Sequence, residues 1–253
     1  MAIENKTLAF LHDSLRAYFC AEALVAQGYT LQQDLAGERY AEVIPFLHDL
    51  IAGAPIHTAR DLLFQLQQSW SYALHLHERC DPTALHAIEH ASHLLATHAP
   101  LLHQTPAEEQ RWRRDIRRQR ARSLYKFLGD FQTAMKSYSL NYQERRAQGD
   151  AIGQNRELNA AAKVLHDTCD FPAALILLAR CLTSWENAVR APGLTPAEAR
   201  VRTEGLAQSL GALGETLLKL QDIQGAMRCF ERNRTLIAEV AGDVARADVR
   251  LAE

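Results

Sequence analysis

Large and small apolar residues fall at helical spacing along most of this chain, and in three places they fall in the same order. Asp130-Phe131-Gln132-Thr133-Ala134, Asp170-Phe171-Pro172-Ala173-Ala174 and Asp222-Ile223-Gln224-Gly225-Ala226 each carry a large apolar residue four positions after the alanine: Tyr138, Leu178 and Phe230. Nine positions before the alanines stand Tyr125, Leu165 and Leu217. Two antiparallel helices need a small residue where their backbones come closest and large ones a turn away. Twelve positions before the alanines are Ala162 and Gly214 in the second and third copies, but Arg122 in the first. The pattern predicts a helix–turn–helix unit written three times.

The rest of the chain reads as further helices. Thr58, with Asp61 three residues on, predicts a capped helix running to about Cys80. Asp81-Pro82 is expected to cap and open another, to about His98, so that Cys80 to Ala84 is a fourth, degenerate copy of the turn. Thr105-Pro106-Ala107-Glu108 and Thr195-Pro196-Ala197-Glu198 are near-identical helix starts, opening the first helices of repeats one and three. Gly149-Asp150 and Gly242-Asp243 are expected to close the same two repeats. Asp243 to Glu253 would then be a separate amphipathic helix over the open end. Near the N-terminus Leu8 to Leu11 is compatible with a short strand. After it, Asp13 or Ser14 caps a helix with Leu15, Phe19, Ala23 and Ala26 on its apolar face, stopping at Gly28. No other run alternates as a strand does. The expected fold is all-α, with an N-terminal helical region over 1–104 and repeats over 105–253.

The repeated unit resembles the tetratricopeptide repeat (TPR), whose small–aromatic–Gly-Asp-aromatic–Ala–aromatic skeleton it follows over roughly residues 106–242. The proline usual at the end of the second helix is absent, with Arg146, Glu186 and Ala238 in its place. The Asp-to-Asp spacings are 40 and 52 residues, against about 34 in the family. Longer helices and an insert in the second connection are therefore expected. The resemblance implies a right-handed solenoid of helical hairpins. A second resemblance covers the first fifty or so residues. Phe10, His12, Leu15, Tyr18, Phe19 and Ala21 are similar to a signature near the end of the NTPase core in STAND signalling proteins of the NACHT type, and Arg39 to Gly53 is similar to the helix that follows it. It implies that the chain is the C-terminal piece of a larger regulator, or a stand-alone relic of one. No Gly-x-x-x-x-Gly-Lys-(Ser/Thr) loop occurs, so nothing is expected to cradle a triphosphate, and no cofactor is expected.

Composition narrows the partners. Hydrophobic residues make up 47% of the 253, with only 12 Gly and 8 Pro, which argues against long disordered tracts. A net charge of -2 gives no global attraction to nucleic acid or to a membrane. Cys20, Cys80, Cys169, Cys181 and Cys229 form an odd set without a Cys-x-x-Cys pair, as expected for reduced thiols and a cytoplasmic location. No apolar run is long enough for a membrane span, and no secretory leader is read.

Two constellations carry chemistry. His86-Ala-Ile-Glu89-His90 fits the His-x-x-Glu-His pattern of one zinc peptidase class, with His93 on the same face. No further ligand in a recognisable context accompanies it, so the expectation is no metal site and no catalytic residue. The other is Arg111 to Arg122, which holds Arg111, Arg113, Arg114, Arg117, Arg118, Arg120 and Arg122. Trp112, Ile116, Ser123 and Phe127 share one helical face, leaving most of the arginines on the other as a basic patch for an acidic partner or nucleic acid. Aromatic residues are not interleaved as in known nucleic-acid readers, which argues against that partner. Trp70, Trp112 and Trp185 sit at core positions.

The expected function is a non-enzymatic scaffold, the partner-docking arm of a STAND-type protein. It would hold a protein or peptide in a concave groove lined by the first helix of each repeat. The repeat register places Arg118, Tyr125, Asn155, Asn159, Lys163, Gln208 and Lys219 in that groove. The alternatives are an acidic-partner or nucleic-acid adaptor using the arginine helix and a metal-dependent hydrolase at His86 and His90.

Overall fold

The computed structural model describes residues 17, 21, 43–103 and 105–252, with side chains described for all of these except 44, 47 and 239–252. The expected short strand, the helix face from Leu15 to Ala26 and the stop at Gly28 lie outside the described residues. So do Phe10, His12, Leu15, Tyr18 and Phe19, whereas Ala21 is helical and buried. Among the described residues every regular element is a helix and no strand occurs.

The chain divides into two compact units, Met1–Leu128 and Gly129–Glu253. The first contains α1 (Ile44–Ala52), α2 (Ala59–Glu78), α3 (Ala84–His98), a 3-10 turn (Ala99–Leu102) and α4 (Pro106–Leu128). Leu62, Leu66, Ala73 and Leu76 on α2 meet Ala84, Ile88, Ala91 and Leu95 on α3, and Trp112 and Ile116 of α4 join the same core. Their three- and four-residue spacing is what puts them on one side of each helix. Because α4 packs on α3, the division falls after Leu128, one helix later than the sequence expectation at 104/105.

The second unit contains α5 (Phe131–Ala147), α6 (Ala151–Asp167), α7 (Phe171–Val189), α8 (Pro196–Lys219) and α9 (Ile223–Ala252). Each packs on the next, and α6 also touches α8. Ala134, Ala174 and Ala226 are fully buried, and so is Ala162. Between α8 and α9 the small residue is Gly214, where a β-carbon would come within 2.6 Å of the Phe230 ring. Arg122, at the matching place in the first copy, is exposed.

One turn chemistry recurs. Cys80, Gly129, Gly149, Cys169 and Gln221 all have φ between 58° and 69°, and each is followed by an aspartate. In four of them the aspartate N–H returns to a carbonyl five residues back: Asp81 to Leu76, Asp150 to Arg145, Asp170 to Leu165 and Asp222 to Leu217. This closes the outgoing helix in the Schellman manner. The carboxylates of Asp130, Asp150, Asp170 and Asp222 then accept from the N–H groups of Thr133, Gly153, Ala173 and Gly225 at 2.8–3.2 Å, capping the incoming helix. A single aspartate thus serves the end of one helix and the start of the next.

Three expectations are corrected. Helix α3 starts at Ala84, not at Pro82, because the Asp81 carboxylate takes the N–H and hydroxyl of Thr83 at 2.9 and 2.6 Å and holds a turn there. Gly242-Asp243 does not end a helix: α9 runs unbroken from Ile223 to Ala252, with no separate capping helix. A mid-helix glycine costs only about 1 kcal/mol, and its neighbours here are mostly helix formers with no proline among them. The 52-residue spacing is absorbed largely by helix, 19 residues in α7 and 24 in α8, with only residues 190–195 between them. The capping boxes at Thr58/Asp61 and Thr195/Glu198 form as expected. At the remaining helix start, the Thr105 hydroxyl donates to the Leu102 carbonyl at 3.4 Å.

Candidate interaction surface

The residues expected to line a groove are not equally available. Arg118 and Tyr125 are half-buried on α4. On α6, Asn155, Asn159 and Lys163 fall one turn apart, and their exposure rises along the helix. Asn155 is buried and its carbonyl accepts from the Cys181 thiol at 3.3 Å, Asn159 is half-buried, and Lys163 is exposed beside Asp167 at 3.4 Å. Asn155 is therefore a core residue, not a groove residue. The reason is that α6 lies among α5, α7 and α8, with Gly153, Glu157, Leu158, Ala161, Ala162 and Val164 also buried. The Asn155 amide nitrogen and the Asn159 amide oxygen are both buried without a hydrogen-bond partner. Gln208 and Lys219 are exposed on α8. The two helices meet where His166 Nδ1 lies 3.0 Å from the Thr216 hydroxyl.

A buried ionic cluster that the sequence reading missed fixes the entry to α6. Arg145 reaches the Asp150 carboxylate at 2.6 Å and the fully buried Glu157 at 3.3 Å, while Asp150 caps the helix at Gly153. Charges taken out of water in this way persist only when paired. The only sequence trace is an arginine five residues before a turn aspartate.

The arginine helix is not one free basic face. Arg113 pairs with Glu109 at 2.6 Å, Arg111 lies 4.0 Å from Asp115, and Arg120 lies 3.7 Å from Glu89 of α3. Arg117 and Arg118 are half-buried, and Arg122 is exposed. Arg114 is buried, against the expectation of an open patch. At 100° per residue it falls with Ala121, also buried, on a second strip opposite Trp112, Ile116 and Ser123. Trp112 and Trp185 are core residues, and Trp70 meets Trp112 edge-on at 6.1 Å.

The histidines of α3 divide between solvent and the interior. His86 and His93 are exposed, but His90 points its Nδ1 to the Ser69 hydroxyl at 3.1 Å. Its ring also meets His48 edge-on at 5.8 Å, and His48 in turn stacks on Tyr72 at 4.3 Å. Burial lowers the pKa of both His48 and His90. Among the described residues no three His, Cys, Asp or Glu side chains come together as metal ligands. Within the His-x-x-Glu-His pattern, Glu89 pairs with Arg120 and His90 turns to Ser69. His77 is buried too. Its Nδ1 lies 3.5 Å from the Ser123 hydroxyl and its ring meets Phe127 edge-on, so burial, with Arg122 and Lys126 nearby, pushes its pKa down to about 4.

No family model matches the chain, and no curated protein matches it. The crystal structure of BtubC (BKLC) from P. vanneervenii is similar at a TM-score of 0.49 and 17% identity, over 91% of each chain. Among the described residues no helix is long and apolar enough to cross a membrane.

Proposed function

We propose that this protein is a non-enzymatic TPR-like scaffold that holds a protein or peptide segment against the first helices of its hairpins. The observation that carries this reading is the recurrent turn, an αL residue followed by a capping aspartate, which links consecutive helices that in the second unit pack each on the next. A device used that often builds a stack of hairpins, and stacked hairpins offer an extended face on which side chains from α6 and α8 stand beside one another. Asn159, Lys163, Gln208 and Lys219 are the residues of that face in the second unit. The resemblance of the N-terminal signature to STAND proteins suggests a signalling or defence context. An adaptor for nucleic acid has less support, since three of the arginines on α4 are matched by carboxylates and a fourth is buried.

Panning a random peptide library against the full chain tests the proposal. Enriched peptides should bind the purified protein, and Lys163→Glu combined with Gln208→Glu should weaken them at least about tenfold, or about 1.4 kcal/mol. Asn187→Lys, exposed on α7, should leave binding unchanged. Peptides that ignore the α6–α8 variants, or no enrichment at all, overturn the reading.

A further inference from the structure

His48 is the most buried polar group of α1 and the point at which that helix grips the hairpin α2–α3. Its ring is stacked on Tyr72 of α2 and lies edge-on to His90 of α3. The apolar part of the contact is small: Val43, Phe46, Leu50 and Ile51 with Ala17, Ala21 and Tyr72. The tautomer of His48 follows from its partner. Asp49 offers only acceptors, so Nδ1 must carry the hydrogen that spans the 3.4 Å to its carboxylate. Nε2 is then the bare nitrogen, and it is buried without any partner.

We infer that His48 and His90 form a protonation-sensitive latch, closed while both rings are neutral, that holds α1 on the α2–α3 hairpin. A second proton on His48 has to enter at Nε2, where the new N–H faces no acceptor and the new charge lies beside another imidazole. The groups around it give little relief. On its own helix Asp49 is 80% exposed at the side chain and so well screened. From α2 come the phenol of Tyr72 and the hydroxyl of Ser69, neither of which is ionised near neutral pH. From α3 comes His90, whose charge opposes a charge on His48, with His93 a turn further on acting on His90 in the same sense. Separating α1 from the hairpin gives the His48 ring back to water. Mild acid therefore releases α1, together with Ala17 and Ala21, which pack on it, while the cores of α2–α4 and of the second unit stay closed.

Amide hydrogen exchange of the full chain between pH 7.5 and 5, corrected for intrinsic exchange, tests this. Protection of residues 44–52 should fall at least about tenfold across that range, the factor carried by one unit of pKa difference, while α5–α8 stay protected. His48→Phe keeps an aromatic ring on Tyr72 without a titrating nitrogen. With His90→Gln, it should leave α1 protected at both ends of the range. Loss of protection that is uniform over the whole chain, no loss in α1, or the same loss in the double variant overturns the latch. Should the double variant fail to fold, the imidazole titrations of His48 and His90 decide by NMR. Coupled midpoints below the ordinary imidazole value of about 6.5 sustain the latch, and midpoints at that value refute it.

Discussion

Gly205 of α8 lies directly beneath the indole of Trp185 on α7. A β-carbon there would come within 2.6 Å of the ring Cη2 atom. The indole is itself almost fully buried and cannot swing away. Gly205→Ala is expected to destabilise the protein by about 1–3 kcal/mol through overpacking. Gly211, two turns on, would place its β-carbon only 3.2 Å from the Asn233 amide nitrogen, the end of a movable side chain. Gly211→Ala should be neutral or stabilising by up to about 1 kcal/mol, since alanine is the better helix former. Urea denaturation of both variants checks the pair. A tolerated alanine at 205 would mean that α7 and α8 are further apart than described.

The alanines of the turns supply the second prediction. Ala174 and Ala226 have no exposed surface, so leucine at either should cost about 1–3 kcal/mol. Gln224 is exposed two residues away from Ala226, and Gln224→Leu should change the urea midpoint little. Equal effects at all three positions would contradict the packing.

How much of this was legible in the sequence depended on whether the signal was local. Turn aspartates, buried alanines and the capping boxes at Thr58 and Thr195 follow from residues within one helix turn of each other, and the structure contains each of them. Asn155 was misplaced because its exposure is set by α7, more than twenty residues away, and no local pattern encodes that cover. Arg114 was misplaced for a related reason: α4 is buried on two strips, and an amphipathic reading allows one. The break expected at Gly242 shows the limit of punctuation residues, since a glycine permits a helix end without imposing one. The His48–Tyr72–His90 contact joins three helices and left no trace in spacing at all.

The third prediction concerns the left-handed residues themselves. Cys169 and Gln221 hold φ of 62° and 64°, a region that costs a residue with a β-carbon about 1–2 kcal/mol. Cys169→Gly and Gln221→Gly should each raise stability, by up to about 1 kcal/mol once the greater freedom of glycine in the unfolded chain is counted. Asp170→Ala should lower it by about 1 kcal/mol, because the Ala173 N–H loses its cap. Thermal denaturation that ranks the three variants in any other order would refute the shared role assigned to the turn.

His77 supplies a pH dependence separate from that of α1. Its pKa in the folded protein is about 4, lowered by burial and then by Arg122 and Lys126, from an ordinary 6.5. The unfolded chain therefore binds the proton more readily between those values, and stability is lost as pH falls from about 6.5 towards 4. His77→Leu should flatten the slope of the urea midpoint over that window, whatever it does to stability at pH 7.5. An unchanged slope would show that His77 is not buried against α4.

The last prediction concerns polyanions. A triphosphate is held by a glycine-rich loop of backbone amides, a lysine and a Mg²⁺-binding hydroxyl, and no stretch of this sequence supplies that set. The arginines of α4 offer charge without such positions, and the neighbouring carboxylates of Glu109, Asp115 and Glu89 take up part of it. Binding of ATP to the full chain should therefore be weak, independent of Mg²⁺ and no better than binding of inorganic triphosphate. Raising the salt from about 0.01 M to 0.15 M shortens the screening length from about 30 Å to 8 Å and should abolish it. Calorimetric titration at both ionic strengths separates the cases. Tight, Mg²⁺-dependent binding at the higher salt would require a nucleotide site assembled from residues far apart in the sequence, and the scaffold reading would fall with it.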